Sequence, residues 1–274
     1  MKRCCNWPIA ACTWSLALTD VAEIANALER LGINHVHLSL SPVFERNGSD
    51  YLKVIEEQDW TITSTMISFS EEDYSTPETI KKTGGIVPDR NWDRNFKKLC
   101  DAITVTSGLG VPYLSMHIGF IGKPGSPIWK KMSQRTLRLA DEAGGQNVQL
   151  LLETGQESAE ELRQFLEGLD HSAVGVNFDP ANMILYDKGD PVPALQILKQ
   201  WIKHVHIKDA IRTEKPGTWG QEVAWGKGQV GVRRFLQALK EIRYNGALAI
   251  ERESGNQRIA DIQSAVHILS EHKV

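Results

Sequence analysis

Eight short apolar runs recur along this chain, separated by stretches whose apolar residues return at helical spacing. That alternation limits the fold more than any other feature. The runs are Ile9–Ser15, Ile33–Leu40, Trp60–Ser68, Val111–His117, Val148–Glu153, Ala173–Asp179, Ile202–Lys208 and Ala247–Glu251. Several intervening stretches carry helix punctuation. Asp20 opens a helical pattern that Gly32 closes, and Ser158 precedes Glu161 at capping-box spacing. Asp190 stands before Pro191, an N-cap followed by proline at the first helical position. Asp89 is the expected N-cap of "DRNWDRNFKKLCDAITVTSGLG", with Gly108 as its stop. "GVRRFLQALKEIRYNG" and "IADIQSAVHILSEH" complete the helical set. Strands alternating with helices, with no shift in composition, predict an α/β protein: one (β/α)8 TIM barrel, a single domain over residues 1–274. An open doubly wound sheet is the rival, but its glycine-rich dinucleotide turn is missing after the first run. Two connections are long, roughly 70–88 and 210–230, and loops of that length in a compact domain are expected to act as functional lids.

Composition narrows the function. The chain carries 31 Lys and Arg against 34 Asp and Glu, a formal charge of −3, with no basic cluster to meet nucleic-acid phosphates. No run reaches the ~18 apolar residues of a membrane span. The opening "MKRCCNWPIAACTWSLAL" mimics a secretory leader, but Pro8 and the tryptophans interrupt it, and the barrel needs this segment as its first strand. Cys4, Cys5, Cys12 and Cys100 have neither zinc-finger nor CxxC spacing and are expected as reduced thiols of a cytoplasmic protein.

Residues of a barrel strand alternate between the interior and the helix layer. In "KHVHIKDA" the aliphatic Val205 and Ile207 take the outward parity, which leaves His204, His206 and Lys208 facing in. The same rule turns Leu151 and Glu153 inward. Asp179 faces in where Val176 and Phe178 face out, and Glu251 faces in beyond Leu248 and Ile250. Three carboxylates and an imidazole thus converge at the carboxyl ends of the last four strands. Burying an unpaired charge is costly, so something positive must sit among them. A hard divalent cation held by Glu153, Asp179, His206 and Glu251 satisfies all four groups. A salt-bridge network through Lys203, Lys208 or Arg252 is the alternative. A second His-Val-His, in "NHVHLSL", puts His35 and His37 inside. His37 is expected to border the site, and His35, deeper, to be a hydrogen-bonded core residue. His117 closes the fourth run, where it meets either substrate or core. Trp14, Trp219 and Trp225 fall on loops at the same end, and one or two of them are expected to line a pocket.

Five segments in order, "LLLETG", "NFDPANM", "HVHIKD", "WGKGQVG" and "YNGALAIERE", resemble the sugar phosphate isomerase/epimerase family. These are the xylose isomerase-like TIM barrels, which also include ketose 3-epimerases, hydroxypyruvate isomerases and inosose dehydratases. The resemblance runs over essentially the whole chain and is strongest from Leu150 onward. It implies that Glu153, Asp179, His206 and Glu251 hold one divalent metal ion (manganese, magnesium, cobalt or zinc), with Glu153 and Glu251 doubling as catalytic acid and base. Arg212 lies where the epimerases carry a substrate-binding arginine. Lys208 and Arg212 are implied to hold substrate oxygens or a carboxylate, and His117 to relay a proton. Asn182 stands three residues after Asp179, where the epimerases place a histidine that grips the substrate. It is expected to bind substrate in that residue's stead, and the exchange argues against a free ketohexose.

The implied activity is a metal-dependent isomerisation or epimerisation of a keto-sugar or related hydroxy-carbonyl compound, by α-proton abstraction through a metal-stabilised enediolate. Lyase or dehydratase chemistry on a 3-keto glycoside or inosose begins with the same abstraction and stays open. A phosphodiester-cleaving enzyme like the endonuclease IV relatives needs a histidine-rich multi-metal cluster and a basic face, against which stand eight histidines and a negative charge. A non-catalytic sugar-binding protein is opposed by the complete ligand set. The glycine-rich "WGKGQVG", which precedes a helix, is a candidate phosphate cradle. The expected partner is a small carbohydrate substrate, with neither nucleic acid nor membrane involved; a homo-oligomer is left open.

Overall fold

The computed structural model describes residues 2–45 and 48–272. All eight apolar runs become parallel strands: β1 (Trp7–Cys12), β2 (His35–Ser39), β3 (Thr61–Ile67), β4 (Tyr113–Met116), β5 (Gln149–Glu153), β6 (Val174–Phe178), β7 (Ile202–Ile207) and β8 (Leu248–Ile250). Each pairs with its neighbours in sequence, and β8 closes the ring on β1 through Leu248–Ile9, Ala249–Ala10 and Ile250–Ala11. The two-residue strand Arg3–Cys4 folds back antiparallel on β1 and stands outside the ring. Within the leader-like segment, Trp7–Cys12 is barrel wall.

A helix follows every strand: α1 (Val21–Leu31), α2 (Gly48–Glu56), α3 (Trp92–Gly108), α4 (Pro127–Gly144), α5 (Ala159–Leu169), α6 (Pro191–Leu198), α7 (Val232–Glu241) and α8 (Arg258–Glu271). Two of them, α2 and α4, lack a clear sequence signature. The buried face of α4 is Met132, Thr136, Leu139, Ala140 and Ala143, so small and polar residues blur its apolar period. The caps at Asp20, Ser158 and Asp190 form as their spacing predicts. Asp89 does not cap α3. It sits in a 3-10 turn before Trp92, and its carboxylate is taken by Lys131 at 3.0 Å and Arg135 at 2.6 Å.

Strand parity sorts the core. Leu150, Leu152, Val176, Phe178, Val205, Ile207, Leu248 and Ile250 join the layer under the helices. Ala10, Cys12, Ala247 and Ala249 form a separate small cluster inside the ring, with Trp14 above them. The register slips by one residue at Val176/Asn177 and at Val36/His37, irregularities of the kind that re-aim side chains beside functional sites. The two long connections have structure of their own. One holds the helix Pro77–Thr83; the other holds a hairpin of Asp209–Ile211 and Gln221–Val223. They meet where the Trp219 indole donates to the Tyr74 carbonyl at 3.0 Å. Among the described residues no helix is long and apolar enough to cross a membrane, and all four cysteines are free.

Candidate active site

Glu153 ends β5, and Asp179 follows β6 as the N-cap of a short helix, Pro180–Leu185. "NFDPANM" thus encodes a strand, a cap and a proline-started turn. One Asp179 oxygen accepts the Asn182 N–H at 2.9 Å, which leaves the other facing the barrel axis. There His206 Nδ1 lies 3.4 Å from Glu153 Oε1, 3.3 Å from Asp179 Oδ2 and 3.2 Å from Glu251 Oε2. One ligand-type atom from each of these four buried residues lies within 4.8 Å of the others. Three carboxylate oxygens and one imidazole nitrogen at that spacing are a donor set suited to a hard divalent cation.

The ionic alternative coexists with this cluster. Lys208 Nζ donates to Glu251 and Glu253 at 2.8 Å each and stands 3.9 Å from Asp179. Arg252 turns instead to Glu222 at 2.6 Å and Asp261 at 2.8 Å. Burial works to raise Glu251, but Lys208 and His206 outweigh it and hold this carboxyl well below its usual range. Glu153 is likewise lowered, with His117 and His206 overcoming desolvation. Asp179 is pushed up to about 6 by burial, which Lys208 only partly offsets. Desolvation acts against the His206 cation, yet the Glu251, Glu153 and Asp179 carboxylates carry its pKa well above the ordinary imidazole value. Burial keeps His37 neutral, with a pKa near 3, and Cys12 a thiol at about 12.

A cavity of about 780 Å³ opens over the cluster, and its walls include Trp14, Tyr74, His117, Asn182, Lys208 and Trp219. Asn182 donates to Glu153 Oε1 at 3.0 Å, and Trp14 Nε1 to Glu251 Oε1 at 2.8 Å. His117 Nε2 is 3.6 Å from Glu153 Oε2, while its Nδ1 is buried with no hydrogen-bond partner among the described residues. Trp225 is elsewhere, packed against Phe235. Arg212 does not line the cavity. Its guanidinium is drawn outward by Asp187 and the Gly189 carbonyl, partners that spacing alone does not reveal.

The glycine-rich loop is also committed. Gly226, Gly228 and Val230 all donate their N–H groups to the Asp209 carboxylate, at 3.0, 2.9 and 3.1 Å. A Cβ at Gly228 would fall 2.2 Å from Asp209 Oδ1, so the glycine makes room for an internal anion. The phosphate-cradle expectation fails because the chain fills the cradle itself. Several cavity residues escaped sequence reasoning: Glu72, Tyr74, Tyr186, Glu222 and Glu253. Glu222 stands on the short hairpin strand Gln221–Val223, and the others on irregular segments without periodicity. Asn177, buried beside Glu153, shares inward parity with Asp179, and that signal was sufficient to find it.

On the turn after β5, Glu157 accepts the Ile121 N–H at 2.9 Å, and burial pushes its carboxyl up from 4.5 to about 7. A raised carboxyl favours the protonated fold, so its contribution is most favourable below the unfolded value of 4.5 and is lost as pH rises through about 7. Glu157→Gln keeps the acceptor and removes the charge. It is expected to exceed wild type in stability by about 1–2 kcal/mol at about pH 8, a figure discounted for partial solvent screening, and to match it near about pH 4. Urea melts at the two pH values check this, and a gap that widens in acid contradicts it.

The fold and the cluster together define a class: TIM barrels that gather polar side chains at the carboxyl ends of their strands. Residues 13–272 match the family described as the xylose isomerase-like TIM barrel, and the chain belongs to that family. A xylose isomerase domain protein from Planctomyces limnophilus shares 31% identity over 97% of this chain and 96% of its own, with a TM-score of 0.86. An inosose dehydratase of Clostridium tetani is 25% identical over 154 residues, a match spanning 50% of this chain and 51% of that protein. An L-ribulose 3-epimerase superposes with a TM-score of 0.73 at 15% identity, over 99% of this chain and 95% of the other.

Proposed function

We propose that this protein is a divalent-metal-dependent isomerase or epimerase of a keto-sugar or related hydroxy-carbonyl compound. The observation that supports it above all is the buried meeting of Glu153, Asp179, His206 and Glu251 beneath a cavity of about 780 Å³. These four residues would hold the ion, whether manganese, magnesium, cobalt or zinc. When bound, a divalent cation supplies electrostatic stabilisation for the negative charge that develops on substrate oxygen. The chain's own groups do the rest. Glu153 is kept ionised by His117 and His206, the state required of a base that takes an α-proton. His117 Nε2, 3.6 Å from Glu153 Oε2, is positioned to pass that proton on. Trp14 and Lys208 grip the two oxygens of Glu251 and orient it as the partner acid. The Trp219–Tyr74 contact helps close the mouth to water, and the indoles of Trp14 and Trp219 offer surfaces for sugar C–H faces.

An unphosphorylated substrate fits best. Asp209 occupies the glycine-rich cradle, and Lys208, the one Lys or Arg among the described cavity residues, is already paired with Glu251 and Glu253. Four free cysteines favour a reducing compartment, and we place the protein in the cytoplasm. Dehydration of an inosose or 3-keto glycoside is the second reading, favoured by the match to an inosose dehydratase; it begins with the same proton abstraction. The test is a deuterium-wash screen over keto-sugars, inososes and hydroxypyruvate with manganese or magnesium. Solvent deuterium should enter the α-carbon of at least one compound, and a chelator should stop it. Metal-independent exchange, or purified protein that binds no divalent ion, would sink the reading; a dehydrated product would select the second one.

A further inference from the structure

The imidazole of His206 is held from both sides. Its Nδ1 looks toward the three carboxylates, whereas its Nε2 lies 2.9 Å from His37 Nδ1. The other nitrogen of His37, Nε2, lies 3.2 Å from the backbone carbonyl of Thr65. A carbonyl oxygen can only accept, so His37 carries its proton on Nε2 and presents a lone pair at Nδ1. That lone pair needs a donor. The nearest is His206 Nε2–H, with the Cys12 thiol farther off at 4.0 Å. The His37 ring cannot readily turn away, since Trp14 stands edge-on at 4.9 Å and His204 at 4.6 Å between centroids. Asn177 competes for the same nitrogen: its oxygen faces His204 Nδ1 at 3.0 Å, and its amide lies 3.1 Å from His206 Nε2 and 3.4 Å from Glu153 Oε2. Because His37 Nδ1 can only accept, the Nε2 hydrogen of His206 goes to His37 and the amide hydrogens of Asn177 go to Glu153.

We propose that His37 is a positioning residue: anchored on the Thr65 carbonyl, it keeps a proton on His206 Nε2 and so reserves His206 Nδ1 for a cation. Metal-ligating histidines commonly donate their second N–H to a carboxylate, a carbonyl or water. Here the carbonyl is reached through a second imidazole, which gives the earlier His-Val-His a role beneath the later one. The inference rests on the metal-site reading above.

The test uses two His37 variants, Cys12→Ser as a third, and histidine labelled with 15N in the ring. In His37→Gln the amide can still donate to Thr65 and its oxygen can still accept from His206; in His37→Leu neither is possible. Two-bond 1H–15N correlation spectra should show His206 Nε2 protonated both without metal and with saturating Mg2+. Calorimetric Mn2+ affinity should fall about 10–100-fold in His37→Leu, the usual cost of losing an outer-shell partner, and His37→Gln should restore most of it. An unprotonated Nε2 in wild type that binds the ion overturns the relay alone. Equal losses in the two variants, or none in His37→Leu, also overturn it. Wild type that binds no divalent ion overturns the metal-site reading and the purpose of the relay together. A second metal equivalent that disappears in both Cys12→Ser and His37→Gln would replace the relay with a thiolate–imidazole site.

Discussion

Glu153→Gln is expected to lose about 10²–10⁴-fold in α-proton exchange while its fold stays intact, because a positioned general base contributes on that order. The substitution is nearly isosteric. Its oxygen can still accept from Asn182, which donates to Glu153 Oε1 at 3.0 Å, so local packing is retained. What disappears is the negative charge that faces His206 Nδ1 at 3.4 Å and His117 at 3.6 Å. His117 and His206 hold the Glu153 carboxyl below its usual range, so its charge stabilises the metal-free fold near neutrality. The metal-free variant should therefore stay folded but melt somewhat lower than wild type, with its divalent-ion affinity reduced. Exchange retained within about tenfold of wild type would remove Glu153 from the role of base.

Lys208→Met is expected to destabilise the metal-free protein by about 3–5 kcal/mol, the range for breaking a buried ion pair from one side. Met fills much of the space of the lysine stem but leaves Glu251 and Glu253 without the ammonium now 2.8 Å from each. Asp179 and Glu222 lose a cation 3.9 Å away. The loss has a pH signature. Glu251 has its pKa held well below the usual range, so its stabilising contribution is present above the unfolded carboxyl value and fades as pH falls through the depressed one. The gap between variant and wild type should then be largest near neutrality and shrink in acid. Saturating Mg2+ should recover part of it, since an ion that binds only the folded state stabilises it by mass action. Chemical denaturation with and without Mg2+ reads both effects. A variant as stable as wild type near neutrality would make Lys208 a bystander.

Much of the scaffold is legible along the chain. The eight strands appear where the apolar runs lie, and Asp20, Ser158 and Asp190 cap the helices that follow them. The inward turn of Glu153, Asp179, His206 and Glu251 follows from their neighbours, since each aliphatic flank belongs to the helix layer. The misses have physical causes. Helix α4 is obscured by Thr136 and its alanines, and Asp89 is drawn from its expected cap by Lys131 and Arg135. Arg212 pairs with Asp187 and is not among the described cavity residues, a placement that spacing alone does not reveal.

Taken by itself, the chain's order of residues determines the strand–helix alternation, the caps and the face on which each strand residue stands, because those depend on groups only a few positions apart. Only the tertiary structure decides that Asp209 fills the glycine-rich loop, that Lys208 sits among four acids, and that His37 meets His206. These are contests for partners that run from Lys208 and Glu222, 14 residues apart, to His37 and His206, 169 apart. Closing the barrel settles them by bringing charges and lone pairs within hydrogen-bond reach where water cannot compete.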